Sequence, residues 1–322
     1  MHTSSSAQQR TPSIAVGTRA LVLGGGGSTG NAWLIGVLAG LADAGVDVTT
    51  ADLTVGTSAG ATAAAQLGGA TPAELYAAIV EGAAPVGRGP AQAGPAGAAS
   101  GRAAGFAGGA AAHLDRLRAI IDASDGIAEM RRRVGALALG DPGDPGLEAL
   151  GAERSARWRE VVAARLPRQE WPERNVILTA VDARTGDPVL LDRESGIDLA
   201  DAVAASCAGG GFAHRIGDRR YIDGGYRGNA ENADLAAGSE RVLVLSPLGG
   251  ASLHPEEWGT RLAVQVAALR AQGSRVETVF PAAEDEHLFG ANAMNAGLRP
   301  DAARAGFAQG REIAGRIAAL WG

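Results

Sequence analysis

Ser58 sits in 56-GTSAG-60, between the apolar run 51-ADLTV-55 and a run of small residues, 61-ATAAA-65. A serine hydroxyl is a weak nucleophile, so an enzyme must hold it within reach of a carbonyl and give its proton somewhere to go. A strand-to-helix turn does the holding, because it strains the serine backbone and points Oγ out of the sheet. Gly56 and Gly60 let neighbouring backbone crowd that turn. The helix that begins after Ser58 directs roughly half a positive charge toward a developing anion. An ordinary glycine-rich turn capped by serine uses the same letters, so this motif alone does not separate the two.

A second glycine-rich stretch, 24-GGGGSTG-30, leads from an apolar run into a helix and can aim several backbone N–H groups at one point. Such a nest holds a phosphate or an oxyanion. Gly25, Gly27 and Gly30 also satisfy the G-x-G-x-x-G spacing of a dinucleotide site. That site wants an acid at the end of the second strand, whereas here the second strand runs directly into GTSAG and Asp52 precedes it. An oxyanion-binding nest over Gly24–Gly27, leading on to Gly30, fits better, since parallel neighbours would bring this turn and the Ser58 turn to one sheet edge.

For the proton acceptor the residues leave two routes. Of the five histidines, His2 and His113 lie in the tail or beside low-complexity sequence; His254 or His287 could complete a serine–acid–histidine triad. The α/β-hydrolase fold that uses this order reaches its serine after several strands, and Ser58 follows the second. The other route is Asp223 in 221-YIDGG-225, where Gly224 and Gly225 allow a carboxylate close to neighbouring backbone. A D-G hairpin turn would read the same way.

The elements that must carry these residues alternate. A strand at 19–23 precedes the four glycines, a helix follows from Asn31 to Ala44, a second strand spans 51–55 and a helix of small residues runs from Ala59 to Leu67. Strand, glycine turn, helix, repeated, predicts an α/β fold with a mostly parallel sheet covered by helices. Further along, 113–165 reads as helical with a break at 140-GDPGDPG-146, and 175–183 and 188–192 read as a hairpin. A helix at 198–208, a hairpin at 216–225, strands at 241–247 and 275–281 and helices at 256–271 and 300–321 complete the pattern. Residues 1–18 read as a flexible tail and 19–322 as one domain, interrupted by an Ala/Gly/Pro-rich insertion at 82–112. That insertion reads as mobile surface, with a lid over the site as its functional alternative.

Composition narrows the chemistry. The 322-residue chain has a formal charge of −6, which argues against nucleic acid as a partner. Every basic residue apart from histidine is arginine, so Schiff-base and P-loop lysine mechanisms are excluded. The single cysteine, Cys207, excludes an internal disulfide and a cysteine zinc cluster and reads as a small buried residue. No metal or cofactor is implied. The longest apolar run, 32–42, is about half of the roughly 20 residues a spanning helix needs. The expectation is a soluble, cytoplasmic protein without a transmembrane segment, compatible with peripheral docking at a membrane through a local patch.

Taken in order, the glycine loop, the G-x-S-x-G serine and the D-G-G aspartate resemble the patatin-like phospholipase family. The resemblance runs from about Ala20 to the C-terminal helix and implies a three-layer α/β/α fold with the serine elbow after an early strand. It also implies a Ser–Asp dyad without histidine: Ser58 as nucleophile, Asp223 as general base, and Gly25, Gly26, Gly27 and Gly30 in the oxyanion loop. The implied activity is lipid acyl hydrolysis, of phospholipase A, lysophospholipase or esterase type, on a lipid ester. A carboxylate base of ordinary pKa near 4 would leave most of the catalysis to geometry and the oxyanion hole. Two positions depart from the family pattern. Thr29 stands where many relatives carry a cation, and 207-CAGGGFAHRI-216 has three glycines where relatives often have a proline-rich loop. These departures support the alternative, a lipid-binding or regulatory protein with little turnover.

Overall fold

The computed structural model describes residues 18–82, 112–140 and 145–322. The tail expected at 1–18 and the insertion at 82–112 therefore lie outside the described residues, apart from Thr18, Gly82 and Ala112 at their ends.

Strands with apolar side chains on both faces can only be satisfied between two layers. In β1 (Arg19–Leu23), Leu21 and Leu23 join a cluster with Trp33, Ala61, Val203 and Ile317. The alternate residues Ala20 and Val22 pack with Ala233, Leu262 and Val266 on the opposite face. The helical layers follow from this: α1 (Gly27–Asp43), α2 (Ala59–Gln66), α7 (Leu199–Ser206) and α9 (Arg299–Trp321) supply the first face and α8 (Leu262–Ala271) the second. This is the expected three-layer α/β/α arrangement.

The sheet order is β5-β6-β3-β2-β1-β7-β8, with β4 pairing β3. The strands are β2 (Leu53–Gly56), β3 (Val176–Asp182), β4 (Pro188–Leu191), β5 (His214–Ile216), β6 (Arg219–Asp223), β7 (Arg241–Leu245) and β8 (Arg275–Val279). From β3 through β8 along this order the pairs are parallel; β4, β6 and β5 are antiparallel additions. Strand β3 sets the spacing at the site. Leu178 pairs with Gly56 of β2, and two residues further on Ala180 pairs with Asp223 of β6. The C-terminal ends of β2 and β6 are thereby brought together over one strand.

Four elements differ from the sequence expectation. Helix α1 begins at Gly27 rather than Asn31, because the chain turns at Gly27 (φ 66°) inside the glycine run. Residues 256–258 form a short 3-10 turn that stops at Gly259 (φ 64°), so α8 starts only at Leu262. A helix absent from the expectation, α3 (Pro72–Glu81), carries a capping box in which Thr71 Oγ1 accepts from Glu74 N–H and the Glu74 carboxylate accepts from Thr71 N–H. The stretch read as helical at 113–165 divides into α4 (112–122), α5 (Ile127–Leu139) and α6 (Pro145–Ala163).

Helices α1 and α9 lie side by side and parallel. A Cβ on Gly36 or Gly40 would collide with the Ala303 or Phe307 carbonyl, and one on Gly306 or Gly310 with the Trp33 or Val37 carbonyl. No side chain fits between them, and the first residue of α9 stands beside the first turn of α1.

Candidate active site

Ser58 occupies the turn between β2 and α2 with φ 53° and ψ −111°. A non-glycine residue in that region costs on the order of 1–3 kcal/mol and persists only where its surroundings hold it. Three groups hold it here. Its N–H donates to Ser206 Oγ at 2.9 Å, and its carbonyl accepts from Thr62 N–H and Cys207 Sγ, each at 3.1 Å. The flanking glycines are needed for space. A Cβ on Gly60 would overlap the Leu23 carbonyl of β1, and one on Gly56 would lie 2.8 Å from Ala61 Cα.

Asp223 ends β6, and its carboxylate lies near enough to the Ser58 hydroxyl for that hydroxyl to oppose the rise of its pKa. Its Oδ1 also accepts from Gly225 N–H at 2.8 Å, while its own N–H donates to the Ala208 carbonyl at 2.9 Å. The close approach depends on Gly224, where a Cβ would overlap Thr179. Burial pushes the Asp223 carboxyl up to about 6, against the smaller opposing effects of the Gly225 N–H and the Ser58 hydroxyl. The Asp223 carboxyl therefore stands well above the ordinary value near 4 expected from the sequence.

The departure at 207–216 does not detach Asp223. Gly209 faces it, since a Cβ there would lie 3.7 Å from Asp223 Oδ2, and Gly210 and Gly211 take φ of 70° and 76°, which proline cannot adopt.

The glycine loop lies against the serine: a Cβ on Gly25 would be 3.6 Å from Ser58 Cβ. Not all of its N–H groups are available. Gly24 N–H donates to the Leu245 carbonyl, Gly25 N–H to the Ala230 carbonyl at 2.8 Å, and Gly30 N–H to the Gly26 carbonyl at 3.0 Å. Of the four glycines expected to form the oxyanion loop, Gly25 and Gly30 thus have their N–H groups engaged, which leaves Gly26 and Gly27 as donors. Pro247 buttresses the loop from behind; a Cβ on Gly26 would sit 2.6 Å from Pro247 Cβ. The other buried carboxyl beside the loop, Glu231, accepts from Ser246 Oγ at 2.6 Å, and burial raises its pKa.

Beneath the pair lies a polar network that the sequence reading passed over. Thr57 and Thr179 share a hydrogen bond between their hydroxyls at 2.9 Å. The buried side chain of Asn232 donates to Thr57 Oγ1 and to the Gly224 carbonyl, both at 3.0 Å. It ties the residue before Ser58 to the residue after Asp223. Its own backbone is left-handed (φ 54°), the one signal that could have marked it, since Asn favours that region.

Cys207 behaves as expected of a small packed thiol. Burial first, then the negative charge of Asp223, pushes it up to about 12, so it stays a protonated donor to the Ser58 carbonyl. The two histidines offered for a triad stand elsewhere: His254 bonds Thr260 Oγ1 at 2.9 Å, and His287 Nδ1 bonds the Glu284 carbonyl at 2.9 Å. His113 bonds the Tyr226 hydroxyl at 3.1 Å; burial and Asp223 push that phenol up, so both side chains border the site. A triad-like chain does occur, Ser155 Oγ to His214 Nδ1 at 2.8 Å and His214 Nε2 to Asp201 at 2.9 Å. Ser155 and His214 are buried, and Ser155 Oγ accepts from Arg215 N–H, so this chain joins α6, α7 and β5 rather than facing a substrate.

Among the described residues no helix is long and apolar enough to cross a membrane, and no three His, Cys, Asp or Glu side chains cluster as a metal site would require.

Fold and site together define an α/β protein built around a strained serine on a strand–helix turn, with a buried aspartate beside it. Residues 21–236, which include all three motifs, match the patatin-like phospholipase family, and the chain belongs to it. Among solved structures it is similar to VipD from Legionella pneumophila, at 14% identity over 94% of this chain and 67% of that one, with a TM-score of 0.42. It is also similar to ExoU of Pseudomonas aeruginosa, solved with SpcU, at 16% identity over 92% of this chain, with a TM-score of 0.33. The chain spans about half of that protein, 53% of its length. No curated protein matches the sequence.

Proposed function

We propose that the protein is a lipid acyl hydrolase in which Ser58 is the nucleophile and Asp223 the general base. The observation that carries this reading is Ser58, held in a strained turn beside a carboxylate that burial has lifted to about 6 and that the Ser58 hydroxyl helps to hold down. In the first step Ser58 Oγ attacks the ester carbonyl and its proton passes to Asp223. The oxyanion accepts from the N–H groups of Gly26 and Gly27, joined by that of Ala59, the residue after the nucleophile. Protonated Asp223 returns the proton to the departing alcohol as the tetrahedral intermediate collapses. Water, activated by the same carboxylate, then releases the fatty acid from Ser58.

At a pKa of about 6 Asp223 is still about nine-tenths ionised at pH 7, yet accepts a proton more readily than an ordinary carboxylate. Lipid esters are the proposed substrates, met at a membrane or micelle surface, and a chain with a single cysteine, Cys207, is compatible with the cytoplasm. The binding-only alternative drew its support from Thr29 and from the 207–216 loop; of these, the loop still holds Asp223 through Ala208. The test is fatty-acid release from phosphatidylcholine, lysophosphatidylcholine and monoacylglycerol by wild type and Ser58→Ala. Release by wild type alone is expected. Tight lipid binding by wild type with no release would favour the alternative.

A further inference from the structure

Arg299, the first residue of α9, reaches across to α1. Its Nη1 donates to the Ser28 carbonyl at 2.7 Å and lies 3.3 Å from the Ser28 hydroxyl, and its Nη2 donates to Asn31 Oδ1 at 3.1 Å. Buried Asn31 passes the connection on: its Nδ2 donates to the Ala59 carbonyl at 3.4 Å and to Gln66 Oε1 at 3.0 Å. The peptide between Ser28 and Thr29 is also gripped at its other end, since Thr29 N–H donates to the Ala293 carbonyl at 3.0 Å. One side chain from outside the family-matched stretch therefore connects the glycine loop with the turn that carries Ser58.

The location is a poor one for a cation on stability grounds. The N-terminal end of a helix carries a positive partial charge. Burial, and then the like charge of Arg165, pulls the Arg299 guanidinium down to about 10. Among the described residues its hydrogen bonds go to neutral oxygens, with no ion pair to offset that desolvation. What the site gains is geometry. A planar fork can bind two acceptors one helical turn apart, which a lysine ammonium does less well. The glycine contacts between α1 and α9 fix where that fork starts.

We propose that Arg299 is a positioning residue for the oxyanion-binding backbone: through Ser28 and Asn31 it holds the Gly26–Gly27 loop and the Ser58–Ala59 turn at a fixed separation. This rests on the assignment of Ser58 and the glycine loop proposed above.

The experiment measures p-nitrophenyl butyrate hydrolysis and the rate of fluorophosphonate labelling for the full chain and for Arg299→Ala, Arg299→Lys and Arg304→Ala. Arg304 is on the same helix, in an exposed pair with Asp301, and serves as the control. Losing a whole oxyanion donor costs about 100- to 1,000-fold in kcat, and here donors are displaced rather than removed. Arg299→Ala should therefore lose roughly 10- to 100-fold in kcat with KM within about twofold, and Arg299→Lys should fall between it and wild type. Arg304→Ala should match wild type. If Arg299→Ala does not fold, Arg299→Lys decides alone by the same kcat criterion. A folded variant with wild-type kcat, or with its loss confined to KM, overturns the inference while an active, Ser58-dependent wild type leaves the hydrolase assignment standing. An inert, unlabelled wild type refutes that assignment and this inference with it.

Discussion

Replacing Asp223 with Asn should kill the enzyme and stabilise it, and both effects should depend on pH. With the carboxyl at about 6, the ionised fraction is about nine-tenths at pH 7 and about one-tenth at pH 5. A base must be ionised to work, so kcat/KM of the wild type should fall about tenfold between those two values. A carboxyl at its ordinary value would lose under a tenth of its activity over the same interval. Stability moves in the opposite sense. Because the folded pKa is raised, the protonated form is favoured by the fold; that contribution is fully present below about 4 and is lost as pH rises through 6. About two units at 1.36 kcal/mol each bounds the loss at about 3 kcal/mol, and the partial surface exposure of Asp223 brings it nearer 2. Asp223→Asn retains an oxygen for Gly225 N–H and carries no charge, so it should gain about 2 kcal/mol at pH 8 and nothing near pH 4. Denaturant unfolding of both proteins at the two pH values, beside the rate profile, reads both effects. A wild-type profile flat between pH 5 and 7, with no pH-dependent stability difference, would refute the burial argument.

Other sites give sharper local tests. Asn232→Ala leaves the Gly224 carbonyl short of a donor in a buried network and should cost about 2–3 kcal/mol in urea unfolding; a change below about 0.5 would contradict the tie described above. Gly60→Ala puts a methyl into the Leu23 carbonyl of β1 and should abolish folded expression, whereas Gly45→Ala, with nothing within 4 Å but φ of 82°, should cost only about 1–2 kcal/mol. Cys207, at about 12, should resist iodoacetamide at pH 8 in the native protein and react on unfolding; rapid native labelling would show an accessible thiolate.

Much of this site was legible because the backbone itself imposes residue types. The strained turn at Ser58 and the overlap of Gly60 with β1 demand glycine next to serine, and alternating strands and helices announce a parallel sheet. Asp223 was less legible: D-G-G reads as any hairpin end until β3 is seen to place Ala180 two residues beyond Leu178. Its raised pKa was illegible, since burial depends on chain segments far apart in sequence. The four-glycine run looked uniform, but only the hydrogen bonds distinguish Gly25 and Gly30, whose N–H groups are engaged, from Gly26 and Gly27. Asn232 and Arg299 look like ordinary loop and helix-end residues, and their contacts lie 175 and 271 positions away in sequence. Helix α3 is a different case, because Thr71, Pro72 and Glu74 spelled out its start.

The central claim is that Ser58 is an armed nucleophile whose proton goes to Asp223. Intact-mass measurement after a timed exposure to a fluorophosphonate, on wild type, Ser58→Ala and Asp223→Asn, tests it most directly. The account predicts one phosphonyl adduct per wild-type chain, mapped to Ser58, none on Ser58→Ala, and labelling slowed by orders of magnitude on Asp223→Asn. An adduct that persists in folded Ser58→Ala, or a folded wild type that takes none, would contradict it.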